Sequence, residues 1–95
     1  MLGALLTTFV EDAPVRFAAL EQAAQSDDAK AIETAAHAFK SGAGTVHATV
    51  LATALANAES AARGGHLEAI TELIEQIRRE HHAVLGELEA FLGDK

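Results

Sequence analysis

Apolar residues return every three or four positions along most of the chain, in four segments separated by short polar or glycine-containing stretches. This period places the apolar side chains on one face of an α-helix, whereas a half-buried β-strand would alternate at every second position. The separating stretches are Ser26-Asp27-Asp28, the region around residues 45–48, and Gly64-Gly65. The pattern therefore predicts an all-α protein.

The first segment, which reaches to about residue 25, has an apolar stripe with a proline inside it. The stripe comprises Leu2, Leu5, Leu6, Phe9, Val10, Phe17, Leu20 and Ala24. Pro14 has no backbone N–H, so it predicts either a kinked helix or the start of a new helix at that point. Ser26 or Asp27 is the expected N-cap of the next helix.

The second and third segments, from about 28 to 45 and from about 48 to 63, have continuous stripes. The second stripe comprises Ile32, Ala36, Phe39, Ala43 and Val46. The third stripe comprises Val50, Leu51, Ala54, Leu55, Ala58 and Ala62. Gly64 and Gly65 are expected to end the third helix in left-handed backbone conformations.

The fourth segment runs from about 66 to 92, and its stripe includes a histidine. The stripe comprises Ile70, Ile74, Ile77, His81, Val84 or Leu85, Leu88 and Leu92. We expect His81 to be a partly buried core residue with its polar atoms satisfied, since that is the common role of a histidine on an apolar stripe.

Four amphipathic helices with short connections predict an antiparallel four-helix bundle, and 95 residues fit one domain spanning 1–95. The stripes are rich in alanine, which lets helices approach closely. The few large side chains should then matter most for packing, namely Phe9, Phe17, Phe39 and Phe91.

Composition narrows the possible functions. The 14 acidic residues against 7 Lys and Arg give a net charge of −7, which disfavours binding to nucleic acid or an anionic membrane. The absence of cysteine excludes disulfides and thiolate metal sites. There is no apolar run of the ~20 residues that a membrane span needs, and no basic stretch of a signal peptide. We expect a soluble, cytoplasmic protein.

His37 is the residue that suggests chemistry. On a helical wheel it lies opposite the second stripe, so its imidazole should face solvent. Glu33, Thr34, Lys40, Ser41 and Gly44 lie on the same face. An exposed imidazole is largely uncharged at neutral pH and keeps a lone pair for nucleophilic attack. Lys40 would supply a positive charge for phosphoryl oxygens. The small residues after Lys40 would allow another protein to approach the helix closely.

The other histidines give weaker signals. His66 and His82 are expected on the surface. The sequence lacks the Glu-x-x-His motif on two helices that would predict a di-iron site. His47, near a helix junction, is the alternative to His37 as the reactive histidine, but it has no lysine three residues later. Taken alone, an exposed histidine with a lysine three residues later is usually just a pair of solvated surface residues.

The run Ala36-His37-Ala38-Phe39-Lys40-Ser41-Gly42-Ala43 resembles the signature of histidine-containing phosphotransfer (HPt) domains, in which Ala-His-x-Leu-Lys-Gly-Ser/Ala-Ala surrounds the phosphorylated histidine. The likeness extends over nearly the whole chain. It includes Phe9 to Pro14, Ser26 to Asp28, Ala48, Leu51, Ala52, Glu59 and Ala62 to Gly65. Three positions depart from the pattern: Phe39 replaces Leu, and Ser41 and His47 stand where Gly is common. Ser41 puts the transfer rate in doubt, because it could crowd the ring or donate a hydrogen bond to the phosphoryl group.

The resemblance implies a phosphorelay intermediate in two-component signal transduction. A receiver-domain aspartyl phosphate would donate to a ring nitrogen of His37, Lys40 would stabilise the phosphoryl group, and another receiver would accept it. Thr34, Ser41 and Gly44 would contact the partner, which is a response-regulator receiver or a hybrid histidine kinase. The receiver would carry Mg²⁺, and this chain would need no cofactor or metal. We expect a monomer without autokinase activity, because nothing resembles an ATP site.

Two other interpretations remain open. The chain could be a protein-binding helical bundle that has lost phosphotransfer, with Ser41 as the supporting feature. A histidine-kinase dimerisation domain fits poorly, because no long dimer seam is evident.

Overall fold

A computed structural model describes residues 2–45 and 48–93, and over this part the chain folds as four α-helices. They are α1 (Leu2–Gln25), α2 (Ala29–Thr45), α3 (Thr49–Arg63) and α4 (Ile70–Gly93). A 3₁₀ turn, Leu67–Ala69, leads into α4. Each helix packs against its neighbour in the chain, and α1 also packs against α4, which closes the ring. The fold is an antiparallel four-helix bundle, as the sequence predicts, and it measures 44 × 20 × 20 Å.

Pro14 lies inside α1 and does not split it. The side chain is exposed, so the turn that lacks a backbone hydrogen bond is on the solvent side of the helix. Neighbouring Ala13 is almost fully buried. Of the two alternatives for this segment, the start of a new helix at Pro14 is not observed, because α1 continues through it.

The core is made by the predicted stripes, with alanines filling the spaces between large residues. The large side chains that are almost fully enclosed are Leu20, Ile32, Phe39, Leu51, Leu55 and Ile77. The described members of the α2 stripe, Ile32, Ala36, Phe39 and Ala43, are all buried. Five stripe positions have side chains outside the described part of the chain, namely Leu2, Leu5, Leu6, Val46 and Leu92; His47 also lies outside it.

Two apolar positions were wrongly predicted to be in the core. Val50 is 58% exposed, because it lies in the first turn of α3 and the next residue, Leu51, takes the inward direction. Phe91 is 47% exposed in the last turn of α4. At the end of a helix, apolar periodicity identifies a face but not whether a neighbouring helix extends far enough to cover it.

The turns also refine the predicted helix ends. The N-cap of α2 is Asp28 instead of Ser26 or Asp27, because its Oδ1 accepts a hydrogen bond from the N–H of Ala31 at 3.2 Å. Asp27 makes the turn itself, with a left-handed φ of 54°. After α3, only Gly65 is left-handed, with a φ of 77°, whereas Gly64 remains in the right-handed region.

His81 is buried in the core between α1, α2 and α4. Its ring centroid lies 5.2 Å from that of Phe17 and 5.6 Å from that of Phe39. The residue is 4% exposed, and Nδ1 has no hydrogen-bond partner among the described residues. Burial is therefore confirmed, but the expectation of a satisfied histidine is wrong. Burial, and to a lesser degree the nearby His82, lowers the pKa of His81.

Candidate functional site

The face of α2 opposite its buried stripe presents His37. Its side chain is 62% exposed, while Ala36 and Phe39 on either side of it point into the core. The period of α2 thus fixes the ring in solvent, since a residue between two stripe positions cannot share their direction. The predicted accessibility of this imidazole is confirmed.

A buried carboxylate on α3 holds the ring from behind. Glu59 Oε2 lies 3.2 Å from Nδ1 of His37, and the Glu59 side chain is only 10% exposed. Its other oxygen, Oε1, accepts a hydrogen bond from Nζ of Lys40 at 2.7 Å. One carboxylate therefore joins the imidazole to the lysine one turn further along α2.

The charge state of Glu59 follows from these contacts. The hydrogen bond from Lys40 is the main cause that lowers the pKa of Glu59, and the charges of Lys40 and His37 act in the same direction against the opposing effect of burial. Glu59 is thus ionised at neutral pH. An ionised carboxylate can only accept hydrogen bonds, so Nδ1 of His37 must be the donor in this contact.

Arg63 completes the network from the next turn of α3. Its guanidinium donates to Glu59 Oε2 at 3.2 Å and to Glu33 Oε2 at 2.9 Å. The Glu33 contact is the main cause that raises the pKa of Arg63. Glu33 is also within 3.8 Å of Lys30 Nζ. One network of contacts therefore links the imidazole to two carboxylates and three cations.

The remaining predicted site residues lie on the same face but outside this network. Thr34 is exposed and lines a cavity of about 220 Å³ with Lys30, Glu33, His37 and Glu59. Ser41 is exposed, and its hydroxyl donates to the backbone carbonyl of His37 at 3.2 Å.

Gly44 is exposed two turns beyond His37, and a Cβ at this position would meet nothing within 4 Å. Packing against the described residues therefore does not require glycine at this position.

Of the other described histidines, none has a recorded contact with Glu59, Lys40 or Arg63. His66 lies 3.7 Å from Glu68 and is exposed, and His82 is exposed on α4. The rival acceptor His47 lies outside the described residues, so its prediction stays untested. Over residues 2–45 and 48–93, no group of three or more His, Cys, Asp or Glu could hold a metal ion.

Sequence reasoning placed Glu33 on the face of His37, but it assigned no role in the site to Glu33, Glu59 or Arg63. A signal was present for Glu59, because it lies four residues after Leu55 and three before Ala62 on the inward face of α3. A buried charge needs a partner, so an acidic residue at such a position indicates a cross-helix contact. The contact partner of Glu59 could not be predicted, because neither apolar stripe determines the register of α2 against α3.

Comparison with known proteins identifies the family of the chain. The family model described as Hpt domain matches residues 4–89. The chain belongs to the Hpt domain family. No curated protein sequence matches it.

A solved member of the family has the same fold. The crystal structure of histidine-containing phosphotransfer protein B (HptB) from Pseudomonas aeruginosa PAO1 matches with a TM-score of 0.93 and 35% identity, over 98% of this chain and 81% of that chain. Hpt domains carry phosphoryl groups on histidine in two-component relays with receiver and kinase domains, and histidine phosphotransfer is the role of this domain. None of the described helices has both the length and the hydropathy needed to cross a bilayer.

Proposed function

We propose that this Hpt domain is a relay intermediate that accepts a phosphoryl group on Nε2 of His37 from a receiver aspartyl phosphate and passes it to a second receiver. The observation that carries the proposal is the contact between Nδ1 and Glu59 at 3.2 Å on an otherwise solvent-exposed ring. With Nδ1 donating, the lone pair of the neutral ring is on Nε2. That nitrogen is the one free to attack.

Lys40 is the proposed stabiliser of the phosphoryl group. Its Nζ is held 2.7 Å from Glu59 and its side chain is one-third exposed, at 33%. A lysine on a flexible four-carbon stem can exchange one anionic partner for another. We expect Nζ to move from Glu59 to a phosphoryl oxygen when the group arrives, which adds about −1.5 to −2 charges beside it.

The proposed docking face surrounds His37 on α2 and consists of Thr34, Ser41 and Gly44. All three are exposed, and the site of Gly44 is open. The receiver would bring Mg²⁺ and the acidic residues that hold it. Transfer then depends mainly on positioning the aspartyl phosphate in line with Nε2, which requires little further chemistry from this chain. The chain would not phosphorylate itself from ATP.

The test uses a receiver domain carrying radiolabelled aspartyl phosphate. Incubation with the chain should transfer the label to give an acid-labile, base-stable phosphate, and His37→Gln should abolish the labelling. His82→Gln is the matched control, because it changes another exposed histidine and should leave labelling intact. Helical circular dichroism should be the same for all three proteins. Labelling that survives His37→Gln would move the acceptor to another histidine, and no labelling of the wild-type chain by any receiver would indicate a bundle without phosphotransfer.

A further inference from the structure

We propose that His81 is a pH-sensitive anchor for the end of α4: the neutral ring holds residues 82–93, here called the terminal segment, against α1 and α2, and protonation of the ring releases that segment. This inference goes beyond the proposed function. It does not depend on which histidine accepts the phosphoryl group.

His81 is the last buried residue of α4. Three buried isoleucines precede it along the helix, namely Ile70, Ile74 and Ile77. After it, every residue from 82 to 91, and residue 93, is half-buried or exposed. The apolar residues of the terminal segment that pack on the core do so only in part, and they are Val84, Leu85 and Leu88. Because apolar stabilisation follows the area removed from water, His81 is the strongest attachment at this end of the helix.

The contacts of His81 join α4 to the other two helices. Its ring centroid lies 5.2 Å from that of Phe17 on α1 and 5.6 Å from that of Phe39 on α2. The Phe39 ring in turn lies 6.5 Å from that of Phe9 on α1. The imidazole is therefore part of an aromatic cluster that spans three helices, and moving it out would uncover Phe17 and Phe39.

This position suits a neutral ring and not a charged one. Nδ1 of His81 is buried and has no hydrogen-bond partner among the described residues. An imidazolium carries a proton on both nitrogens, so protonation would bury a positive charge together with an unpaired N–H donor. In agreement, burial and, to a smaller extent, His82 lower the pKa of His81.

The charged groups around His81 on α4 and α1 give the protonated ring no compensation. On α4, the guanidinium of Arg78 lies over the Phe17 ring, 5.2 Å from its centroid, and His82 is the next residue in the chain. Both are cationic or become cationic in acid. On α1, the carboxylate of Glu21 already accepts a hydrogen bond from Arg78 at 2.8 Å.

The groups on α2 and α3 are also engaged elsewhere. Lys40 follows Phe39 on α2, and its Nζ binds Glu59 of α3 at 2.7 Å. Glu59 is shared further with His37 and Arg63. Neither carboxylate, Glu21 or Glu59, is therefore free to pair with a charged His81.

Release of the terminal segment would place His81 in water, where a histidine has its ordinary pKa of about 6.5. The open form then takes up a proton as the pH falls through 6.5, while the closed form stays neutral to lower pH. The equilibrium constant for opening should therefore rise about tenfold between pH 7.5 and pH 5.5. The segment is held at neutral pH and released in acid.

The test is native-state hydrogen exchange of the full chain, measured by NMR at pH 7.5 and pH 5.5. Each amide rate is divided by the rate of an unstructured chain at the same pH, which gives a protection factor. Protection of amides 82–90 should fall about tenfold at the lower pH. Low concentrations of urea should accelerate these amides less than amides 51–62 of α3, because a local opening exposes less surface than unfolding of the bundle.

Two variants remove the titrating group. His81→Phe keeps an aromatic ring, and His81→Leu is a smaller apolar replacement in case the larger ring disturbs packing. In both, protection of amides 82–90 should be nearly the same at the two pH values. His82→Gln is the matched control, because it changes the exposed neighbour and should keep most of the tenfold fall.

Three results would overturn the proposal. The first is a tenfold fall that persists in both His81 variants. The second is a wild-type chain in which amides 82–90 and 51–62 share one protection factor and one urea dependence, because the segment would then open only with the whole bundle. The third is a terminal segment without protection at pH 7.5. These measurements use no receiver and no phosphate, so their outcome is independent of the relay function.

Discussion

Two histidines of this bundle, His37 on α2 and His81 on α4, have opposite surroundings. His37 is mostly in solvent, with Nδ1 bonded to an ionised carboxylate. His81 packs against Phe17 and Phe39, and within the described part of the chain its Nδ1 has no hydrogen-bond partner. Phe39 connects the two regions, since it lies two residues after His37 and packs against His81. The imidazole of His37 is thus accessible and hydrogen-bonded, whereas that of His81 is buried in the core, where its neutral form is favoured.

Under the proposed function, a partner for Nδ1, more than exposure alone, distinguishes the acceptor imidazole from the other described histidines. Exposed His66 and His82 have no buried carboxylate behind them. Substitutions at His37, Gly44 and Lys40 in one region and at His81 in the other test this difference.

The largest expected effect separates transfer from stability. His37→Gln should remove all phosphoryl transfer yet leave the free energy of unfolding within about 0.5 kcal/mol, as for most exposed positions. His81→Phe should transfer normally. Receiver labelling and urea unfolding of both variants measure the two quantities. A loss of transfer in His81→Phe comparable with that of His37→Gln would break the separation between the two regions.

A bulky residue on the docking face should weaken receiver binding strongly. Gly44→Trp puts a large side chain where the chain itself leaves open space, so the fold should be kept while affinity for the receiver falls about 100-fold, or by roughly 3 kcal/mol. Ala83→Trp is the control, because Ala83 is exposed on α4, which packs on α1 and α3. Isothermal calorimetry with the receiver measures both. Unchanged binding of Gly44→Trp would exclude this face.

Removing the charge that stabilises the phosphoryl group should slow transfer without abolishing it. Lys40→Ala should reduce the rate of labelling about tenfold, which corresponds to about 1.4 kcal/mol of lost transition-state stabilisation. Lys30→Ala is a suitable control, because the ion pair that Lys30 makes among the described residues is with Glu33, at 3.8 Å, and not with Glu59. Rapid-quench kinetics with the phosphorylated receiver would show the difference, and equal rates for Lys40→Ala and wild type would contradict the assigned role.

The smallest expected effect concerns His81 and pH. Because burial lowers its pKa in the folded chain, the unfolded chain binds more protons as the pH falls through the ordinary value of 6.5. The stability associated with neutral His81 is complete above that value and is lost progressively below it. His81→Phe removes the unpartnered Nδ1 and should be about 1 kcal/mol more stable at pH 8.

The advantage of His81→Phe over wild type should grow on going from pH 8 to pH 5.5. This window lies above the range in which Glu59 titrates, since the pKa of Glu59 is lowered from 4.5. His82→Gln, which removes the smaller of the two causes that lower the pKa of His81, should show much less growth. Urea unfolding at several pH values measures these differences, and a constant gap between wild type and His81→Phe would contradict a pH-sensitive core.

Much of the fold could be predicted because each stripe reports directly on one helix face. Ile32, Ala36, Phe39 and Ala43 were predicted inward and are buried, and that same pattern placed His37 outward. Predictions failed where neighbouring elements decide the outcome. Val50 and Phe91 lie in the end turns of α3 and α4, where they are 58% and 47% exposed.

The site was predicted only as far as it lies on one helix. The positions of His37, Lys40 and Gly44 follow from the period of α2 alone. The contacts of Glu59 with His37 and of Arg63 with Glu33 span 22 and 30 residues, and they depend on how α3 sits against α2. The unpartnered Nδ1 of His81 is likewise a property of three packed helices, which no single stripe contains.

The most direct test of the central claim is to locate the phosphorus on the histidine ring. Two-dimensional ¹H–¹⁵N NMR of the chain after phosphorylation by a receiver should show phosphorus on Nε2 of His37, with Nδ1 still protonated and hydrogen-bonded. Phosphorus on Nδ1, or on any other histidine, would contradict the assignment of Glu59 as the group that leaves Nε2 free to react.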